Sequence, residues 1–158
     1  MRHIVQRGLW FEEFELDVVY DHTPGRTVTE ADNVLFTTLT MNTQALHLDA
    51  VAAAASPFKR PLVNGMFTLS TLVGLSVAQL TQGTLVANLG FSDIRFPAPM
   101  FHGDTLFART TVLDKRLSDS RPGQGVVELE HVGANQEGVD VVIARRATLV
   151  HRKPEEAT

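Results

Sequence analysis

The stretch from Asn64 to Gly83, NGMFTLSTLVGLSVAQLTQG, decides the fold. Its apolar residues recur at intervals of three and four, which places side chains on one face of an α-helix; they are Met66, Leu69, Leu72, Val73, Val77 and Leu80. Gly74 and Ser76 are small, so the helix can lie close to a flat surface, most simply a β-sheet. Gln82-Gly83 has the chemistry of a helix end. The sequence therefore predicts one long helix that begins near Gly65.

The remainder of the chain after this helix is rich in β-forming residues. The predicted strands are Leu85 to Phe96, Thr105 to Leu117, Gly125 to Asn135 and Val139 to Val150, with turn-forming residues between them. A further strand is predicted near Phe14 to Tyr20. One long helix followed by sequential antiparallel strands indicates an α+β protein. We expect a single hotdog fold, in which the sheet wraps around the long central helix.

Two short helices are predicted ahead of the long one. Thr29-Glu30-Ala31-Asp32 has the pattern of a capping box and begins a helix that ends near Thr40. Asp49 to Ala55 predicts a second short helix, which Ser56-Pro57 stops. The polar segment from Met41 to Asp49 lies between them.

Composition excludes several classes of protein. The 158 residues are enough for one domain, which we expect over residues 1–152, with a loose charged tail over residues 153–158. The net charge is −4, too weak a field to hold nucleic acid, and no apolar run approaches the ~20 residues of a membrane span. There are no cysteines, and Met1 to Tyr20 lacks the apolar core of a secretory signal. We expect a cytoplasmic protein with no metal, membrane or nucleic-acid partner.

His47 is the leading candidate for a catalytic residue. It lies in the polar segment between the two short helices, and loops between elements often carry catalytic groups. Histidine is also the side chain best suited to proton transfer near neutral pH. On the residues alone, a structural histidine is an equally good interpretation.

Gly65 and the basic residues of the strand half are further candidates. A helix N-terminus presents unpaired N–H groups, which suit a carbonyl oxygen that gains negative charge, and glycine lets a ligand approach closely. The alternative is a turn residue without a ligand. The basic residues, either a solvated face or an anchor for phosphates and carboxylates, are Lys115, Arg116, Arg121, Arg145, Arg146 and Arg152.

The segment Met41 to Asp49, MNTQALHLD, followed by Val63 to Leu69, VNGMFTL, resembles the MaoC-like dehydratases. This family includes the (R)-specific enoyl-CoA hydratases, whose signature runs approximately Gly-Asp-x-Asn-Pro-Ile/Leu-His-x-Asp and continues with His-Gly-Met. Gly25 to Asp32 and Phe96 to Leu106 also fit the family, so that the resemblance covers Gly25 to Val150. It implies a hotdog fold and reversible hydration of a 2-enoyl-CoA. The acyl-CoA thioester is then the substrate, and no separate cofactor is expected.

The sequence departs from the family at functional positions. The replacements are Asn42 for the catalytic aspartate, Gln44 for asparagine, Ala45 for proline and Asn64 for the histidine before the helix glycine. A neutral amide cannot abstract a proton as an aspartate can. The resemblance therefore implies that His47 transfers the proton while Asn42 orients water. It further implies that the Gly65 N–H binds the thioester carbonyl, with the residues at the Gln44 and Asn64 positions lining the substrate site.

A narrower resemblance concerns the substrate. Met41 to Gln44, Asn88 to Gly90 and Ser118 to Gly125 resemble mesaconyl-CoA and itaconyl-CoA hydratases, which act on short branched dicarboxylic acyl-CoA esters. Arg121 would then bind a CoA phosphate or a substrate carboxylate. The family also implies a homodimer or a dimer of dimers, with sites at the subunit junction. A non-catalytic acyl-CoA-binding protein and an acyl-CoA thioesterase remain as alternatives.

Overall fold

The computed structural model describes residues 1 and 3–154. Within them the chain forms a 3₁₀ turn, four α-helices and five β-strands. Their bounds are Phe11–Glu13 for the turn, Glu30–Leu39 (α1), Ala45–Leu48 (α2), Ala50–Ala55 (α3) and Gly65–Leu80 (α4) for the helices, and Val19–Thr27 (β1), Leu85–Arg95 (β2), Thr105–Leu117 (β3), Gln124–Ala134 (β4) and Asp140–His151 (β5) for the strands. Of the predicted tail, residues 155–158 lie outside the described residues, whereas the Lys153 N–H donates to Glu12 Oε2 at 2.8 Å.

The strands form one antiparallel sheet in the order β1-β3-β4-β5-β2. β3, β4 and β5 pair as consecutive neighbours, while β2 pairs with β5 and so lies at the edge opposite β1. Helix α4 packs against β1, β3, β4 and β5. The predicted α+β arrangement, a long helix against an antiparallel sheet, is confirmed. In the part of the chain that the structure describes, no helix is long and apolar enough to cross a membrane.

Helix α4 buries one face against two apolar clusters of the sheet. The buried residues of α4 are Thr68, Leu69, Leu72, Ser76 and Leu80. Thr68 is tolerated inside because its hydroxyl donates to the Asn64 carbonyl at 3.3 Å, whereas Met66, expected on the apolar face, is exposed. Ser76 lies on the packed side as expected, but Gly74 faces open space.

A belt of polar side chains separates the two apolar clusters. His22 Nδ1 donates to Gln79 Oε1, and Thr110 Oγ1 bridges His22 Nε2 and His131 Nδ1, each bond being 2.7 Å long. Burial, with the positive charge of Arg146, lowers the pKa of His131 to about 3, so this histidine is neutral at physiological pH. Arg146, grouped above with the basic residues, is itself buried, and burial lowers its pKa to about 10.

The strand predicted near residues 14–20 is wrong in position. Most of this segment precedes β1, and the Phe14 side chain is instead fully buried in the core. The ammonium group of Lys115 donates to the backbone carbonyls of Phe11, Glu12 and Phe14. A side chain distant in sequence therefore satisfies the carbonyl groups that a strand ladder would otherwise pair.

Candidate active site

His47 lies in α2, a single helical turn that the sequence analysis did not predict. Its half-buried imidazole places Nδ1 2.8 Å from the carbonyl oxygen of Leu62. A carbonyl oxygen can only accept, so Nδ1 carries the proton and Nε2 of the neutral ring keeps its lone pair. The Leu62 N–H donates to the Leu46 carbonyl at 3.1 Å, which ties the two segments together. The geometry thus leaves Nε2 as the atom able to accept a proton.

Gly65 begins α4, and its backbone N–H is a free donor. The buried Asn64 is the N-cap: its Oδ1 accepts from the Met66 N–H at 3.0 Å, and its carbonyl accepts from the Thr68 N–H at 3.1 Å. Among the described residues, none accepts from the Gly65 N–H. A Cβ added at Gly65 would lie 3.2 Å from the Phe96 ring, so glycine keeps this amide uncrowded. The positive end of the helix dipole lies here as well.

Asn42 follows α1 and presents an amide donor. Its Oδ1 accepts from the Gln44 N–H at 3.1 Å, a local turn that leaves Nδ2 available to a ligand or to water. The Gln44 side chain is exposed and makes no capping bond to α2. Asn42 and Asn64 line one cavity of about 360 Å³, together with Phe36.

A second cavity opens on the other side of the α4 N-terminus. It has a volume of about 240 Å³, and Gly65 forms part of its wall. The rest of the wall is almost entirely apolar and consists of Leu62, Val63, Thr68, Phe96, Ala98, Pro99, Met100 and Val141. The start of α4 therefore separates the cavity of Asn42 from an apolar one that suits a hydrocarbon group.

Arg121 is not brought to this site within one chain. It is exposed on the loop between β3 and β4 and lines a surface cavity of about 350 Å³ with Arg116 and Leu89. The segment before β3 contacts the α4 N-terminus, since the Val63 N–H donates to the Met100 carbonyl at 2.9 Å. The Arg121 loop follows the far end of β3, which at about 3.3 Å per residue spans some tens of ångströms.

Asn33 is not recognisable from sequence as a functional residue, but the structure places its side chain among the backbone groups around His47 and Gly65. Asn33 and Thr37 are the buried residues of α1. The Asn33 side chain contacts the backbone of His47, Leu62 and Asn64. The only local sequence signal for Asn33 is that it and Thr37 are polar residues four positions apart, on the face that α1 buries. No group of three His, Asp or Glu residues able to hold a metal occurs within residues 3–154.

The chain is similar to one known protein family. Residues 13–135 match the family model described as MaoC like domain. The chain is 30% identical over 146 residues to the mesaconyl-CoA hydratase of Cereibacter sphaeroides, a match that covers 92% of this chain and 42% of the relative. The first curated relatives are longer proteins, of which this chain spans between 29% and 43%.

Solved structures agree with the fold. The unliganded R-hydratase of Pseudomonas aeruginosa matches with a TM-score of 0.75 and 25% identity, over 96% of this chain and 93% of that one. A Mycobacterium tuberculosis protein described as a double hotdog fold matches with a TM-score of 0.81 and 24% identity, over 96% of this chain and 46% of that one. The hotdog prediction is confirmed.

Proposed function

Because the chain belongs to the MaoC-like dehydratase family, we propose that it adds water reversibly across the double bond of a 2-enoyl-CoA thioester. The observation that carries this proposal is the bond from His47 Nδ1 to the Leu62 carbonyl. It leaves Nε2 as a proton acceptor on a ring bonded to Leu62, which lines the apolar cavity together with Gly65. A base and an oxyanion donor are the two groups that hydration of an enoyl thioester requires.

In the proposed mechanism the thioester carbonyl accepts from the Gly65 N–H. His47 Nε2 takes a proton from water as the water oxygen bonds to C3, and the electron pair of the double bond moves to form an enolate. The Gly65 N–H stabilises the charge on the enolate oxygen, an effect typically worth ~3–4 kcal/mol in the transition state. The imidazolium then returns the proton to C2. One histidine therefore serves as base and acid, and no aspartate is required.

Asn42 holds the attacking water in this scheme. Its Oδ1 is bound to the Gln44 N–H, so the Nδ2 group donates to the water oxygen. The water keeps a second lone pair for C3 and a proton for His47. An amide that orients water in this way explains how the reaction proceeds where the family aspartate is absent.

We propose that the working unit is a homodimer, or a dimer of such dimers, formed through the edge strand β2. β2 carries exposed apolar side chains, and its outer backbone edge is open to a second copy; the exposed side chains are Leu85, Leu89, Phe91 and Ile94. Two copies related by a two-fold axis would pair this edge antiparallel and cover it. The Phe96 end of β2 would then lie beside the partner's Leu85 end.

This pairing gives Arg121 a place in the substrate site of the partner subunit. Phe96 contacts the α4 N-terminus, whereas Leu89 shares the surface cavity of Arg116 and Arg121. With Phe96 beside the partner's Leu85, antiparallel pairing of β2 places Leu89 four residues, or about 13 Å, along the strand from the partner's Phe96. Within its own chain Leu89 lies seven residues, or about 23 Å, from Phe96. The two arginines would then bind a CoA phosphate or a substrate carboxylate. Together with the mesaconyl-CoA hydratase relative, this supports a short branched dicarboxylic substrate such as mesaconyl-CoA or itaconyl-CoA.

Turnover of a thioester panel tests the proposed function. Crotonyl-, mesaconyl- and itaconyl-CoA are each followed by the loss of enoyl-thioester absorbance. We expect hydration without release of free CoA thiol. Thiol release in place of hydration would identify a thioesterase, and acyl-CoA binding without any turnover would identify a non-catalytic binding protein.

Substitution of Asn42 tests whether its amide orients the attacking water. Asn42→Ala removes the donor to water, and we expect kcat to fall about 10-fold or more. Asn42→Asp keeps the acceptor for the Gln44 N–H but adds a charge. That charge stabilises the His47 imidazolium, so the acid limb of the pH–rate profile moves to higher pH.

The pH–rate profiles of wild type and both variants provide the measurement. If the rate of Asn42→Ala equals that of wild type at every pH, Asn42 has no catalytic role, and only His47 and Gly65 remain in the proposed catalytic site. If wild type shows no hydration and Asn42→Asp gains some, the chain is a degenerate, non-catalytic relative.

Arg121→Lys tests the proposed anion contact. Lysine does not reproduce the bidentate geometry of a guanidinium, so we expect KM for the acyl-CoA to rise more than kcat falls. Arg145→Lys is the matched control, because Arg145 is an exposed arginine that pairs with Glu130 at 3.1 Å. An unchanged KM for every thioester would show that Arg121 is a solvent-exposed residue with no role in substrate binding.

Hybrid dimers test whether the site is shared between subunits. A dimer with His47→Ala in one chain and Arg121→Glu in the other would hold one intact shared site, so we expect about half of the wild-type activity. Subunits with self-contained sites would leave both sites of the hybrid impaired, and the activity would stay near that of the single variants.

A further inference from the structure

The side chain of Asn33 joins the segments that carry the proposed base and the proposed oxyanion donor. Asn33 is fully buried in α1. Its Oδ1 accepts from the Asn64 N–H at 2.8 Å, directly before Gly65. Its Nδ2 lies 3.3 Å from the His47 carbonyl oxygen and 3.2 Å from that of Leu62. One amide thus contacts both halves of the site.

The orientation of this amide is unambiguous. The Asn64 N–H can only donate, so the atom facing it is the oxygen of Asn33. The carbonyls of His47 and Leu62 can only accept, so the atom facing them is the nitrogen. His102 Nε2, 3.1 Å from Nδ2, faces the same amide group, whose two hydrogens are shared among the three acceptors. A carboxylate at position 33 would reproduce the first contact, oppose the two carbonyls and accept from His102 in place of donating to it.

The carbonyl of Leu62 is the critical link. It accepts from Asn33 Nδ2 at 3.2 Å and from His47 Nδ1 at 2.8 Å. The bond from Nδ1 selects the tautomer in which Nε2 is free, so the direction of this carbonyl decides where the proton acceptor points. We propose that Asn33 is a positioning residue, which aims the Leu62 carbonyl at His47 and holds Gly65 at a fixed place relative to it. This inference rests on the proposed hydration.

A positioning role and a merely structural role predict different results. Loss of a buried hydrogen-bond network would lower stability in either case. Only a positioning role changes kcat more than KM and alters the protonation of His47. Asp49 is two residues from His47 along the chain, and His102 contacts Asn33. Because the new carboxylate of Asn33→Asp also faces His102, the titration of His102 is followed beside that of His47.

Asp32 provides the matched control in the same helix. Its carboxylate accepts from the Thr29 N–H at 2.9 Å and pairs with Arg26 at 2.6 Å, outside the site. Asp32→Ala therefore loosens the start of α1 without touching the Asn33 contacts. We expect it to lower Tm while kcat and the pH–rate profile remain those of wild type.

The Asn33 variants are measured against this control. For Asn33→Ala and Asn33→Asp we expect kcat at least about 10-fold below that of Asp32→Ala, with KM within about 3-fold. In Asn33→Asp the new charge, across the Leu62 carbonyl from the imidazole, should also shift the acid limb upward by about half a pH unit or more. If Asn33→Asp does not fold, Asn33→Ala carries the comparison of kcat and KM.

NMR titration of the His47 imidazole nitrogens supplies a readout that does not depend on activity. We expect the Nδ1–H tautomer in wild type and Asp32→Ala, a mixture of tautomers in Asn33→Ala, and a titration displaced to higher pH in Asn33→Asp. Titrations and tautomers identical to wild type in both Asn33 variants, with kcat within about 3-fold, would overturn the positioning role. If wild type hydrates no thioester, the proposed function fails, and the NMR comparison alone then decides whether Asn33 orients His47.

Discussion

Replacement of His47 by alanine should lower kcat at least about 10²-fold while the protein stays folded. In the proposed mechanism Nε2 both removes the proton from water and returns it to C2, and the two cavities at the start of α4 are lined, among the described residues, by no ionisable side chain that could replace it. The structural cost is small, because the substitution removes one hydrogen bond of a half-buried side chain, about 1 kcal/mol.

Steady-state kinetics with the best thioester of the panel measure this effect, and circular dichroism reports the fold. His151→Ala is the control, since His151 is an exposed histidine at the end of β5. We expect this control to retain wild-type kcat. Activity of His47→Ala within a few-fold of wild type, with an unchanged spectrum, would show that His47 is a structural histidine.

Replacement of Gly65 by proline should remove the oxyanion donor at little cost to the helix. Proline lacks the backbone N–H, and the first position of a helix is where proline is best tolerated. The preceding residue, Asn64, has φ −60° and ψ 123°, an extended conformation that suits a residue before proline. We expect kcat/KM to fall about 10²- to 10³-fold below that of Gly65→Ala.

Gly65→Ala is the matched control because it adds a Cβ but keeps the N–H. Its Cβ would approach the Phe96 ring to 3.2 Å, so a smaller loss from crowding is expected in both variants. Alanine therefore accounts for the crowding by the Cβ, and the remaining difference measures the replacement of the N–H by the proline ring. Equal kcat/KM values for the two variants, both folded by circular dichroism, would remove the Gly65 N–H from the mechanism.

Helix positions were predictable because their signals are local. The apolar spacing after Asn64 predicts α4, which does run from Gly65 to Leu80. The capping box is confirmed, since Thr29 Oγ1 accepts from the Asp32 N–H at 3.2 Å. Both depend on residues three or four positions apart, which one helical turn brings together. The strands β3, β4 and β5 were predictable for a similar reason, because turn residues separate runs of β-formers.

The first strand was not predictable in the same way. Its nine residues, VYDHTPGRT, are mostly polar, so no alternation of apolar and polar residues reveals them. The more apolar segment before it is held out of the sheet by Lys115, about a hundred residues further along the chain. Pairing with a distant strand and capture by a distant side chain leave no local pattern.

Some features of the candidate site were likewise predictable from the sequence, and others were not. The residue types and their positions identified His47 and Gly65 as candidates, and the resemblance to the family added Asn42. The tautomer of His47 depends on the carbonyl of Leu62, fifteen residues away. Asn33 has the sequence context of an ordinary helix residue. Only the fold places its side chain between the segments of His47, Leu62 and Asn64.

By itself, then, the sequence determined the long helix, most of the strands and which side chains are chemically able to act. Only the tertiary structure decided the direction in which His47 presents its lone pair, the burial of Arg146, and the separation of Arg121 from Gly65 within one chain. The physical reason is the distance along the chain over which each kind of interaction acts. Helix periodicity and capping act over about four residues. Strand order, buried hydrogen bonds and the distance between two loops depend on contacts that form only when the whole sheet closes around α4.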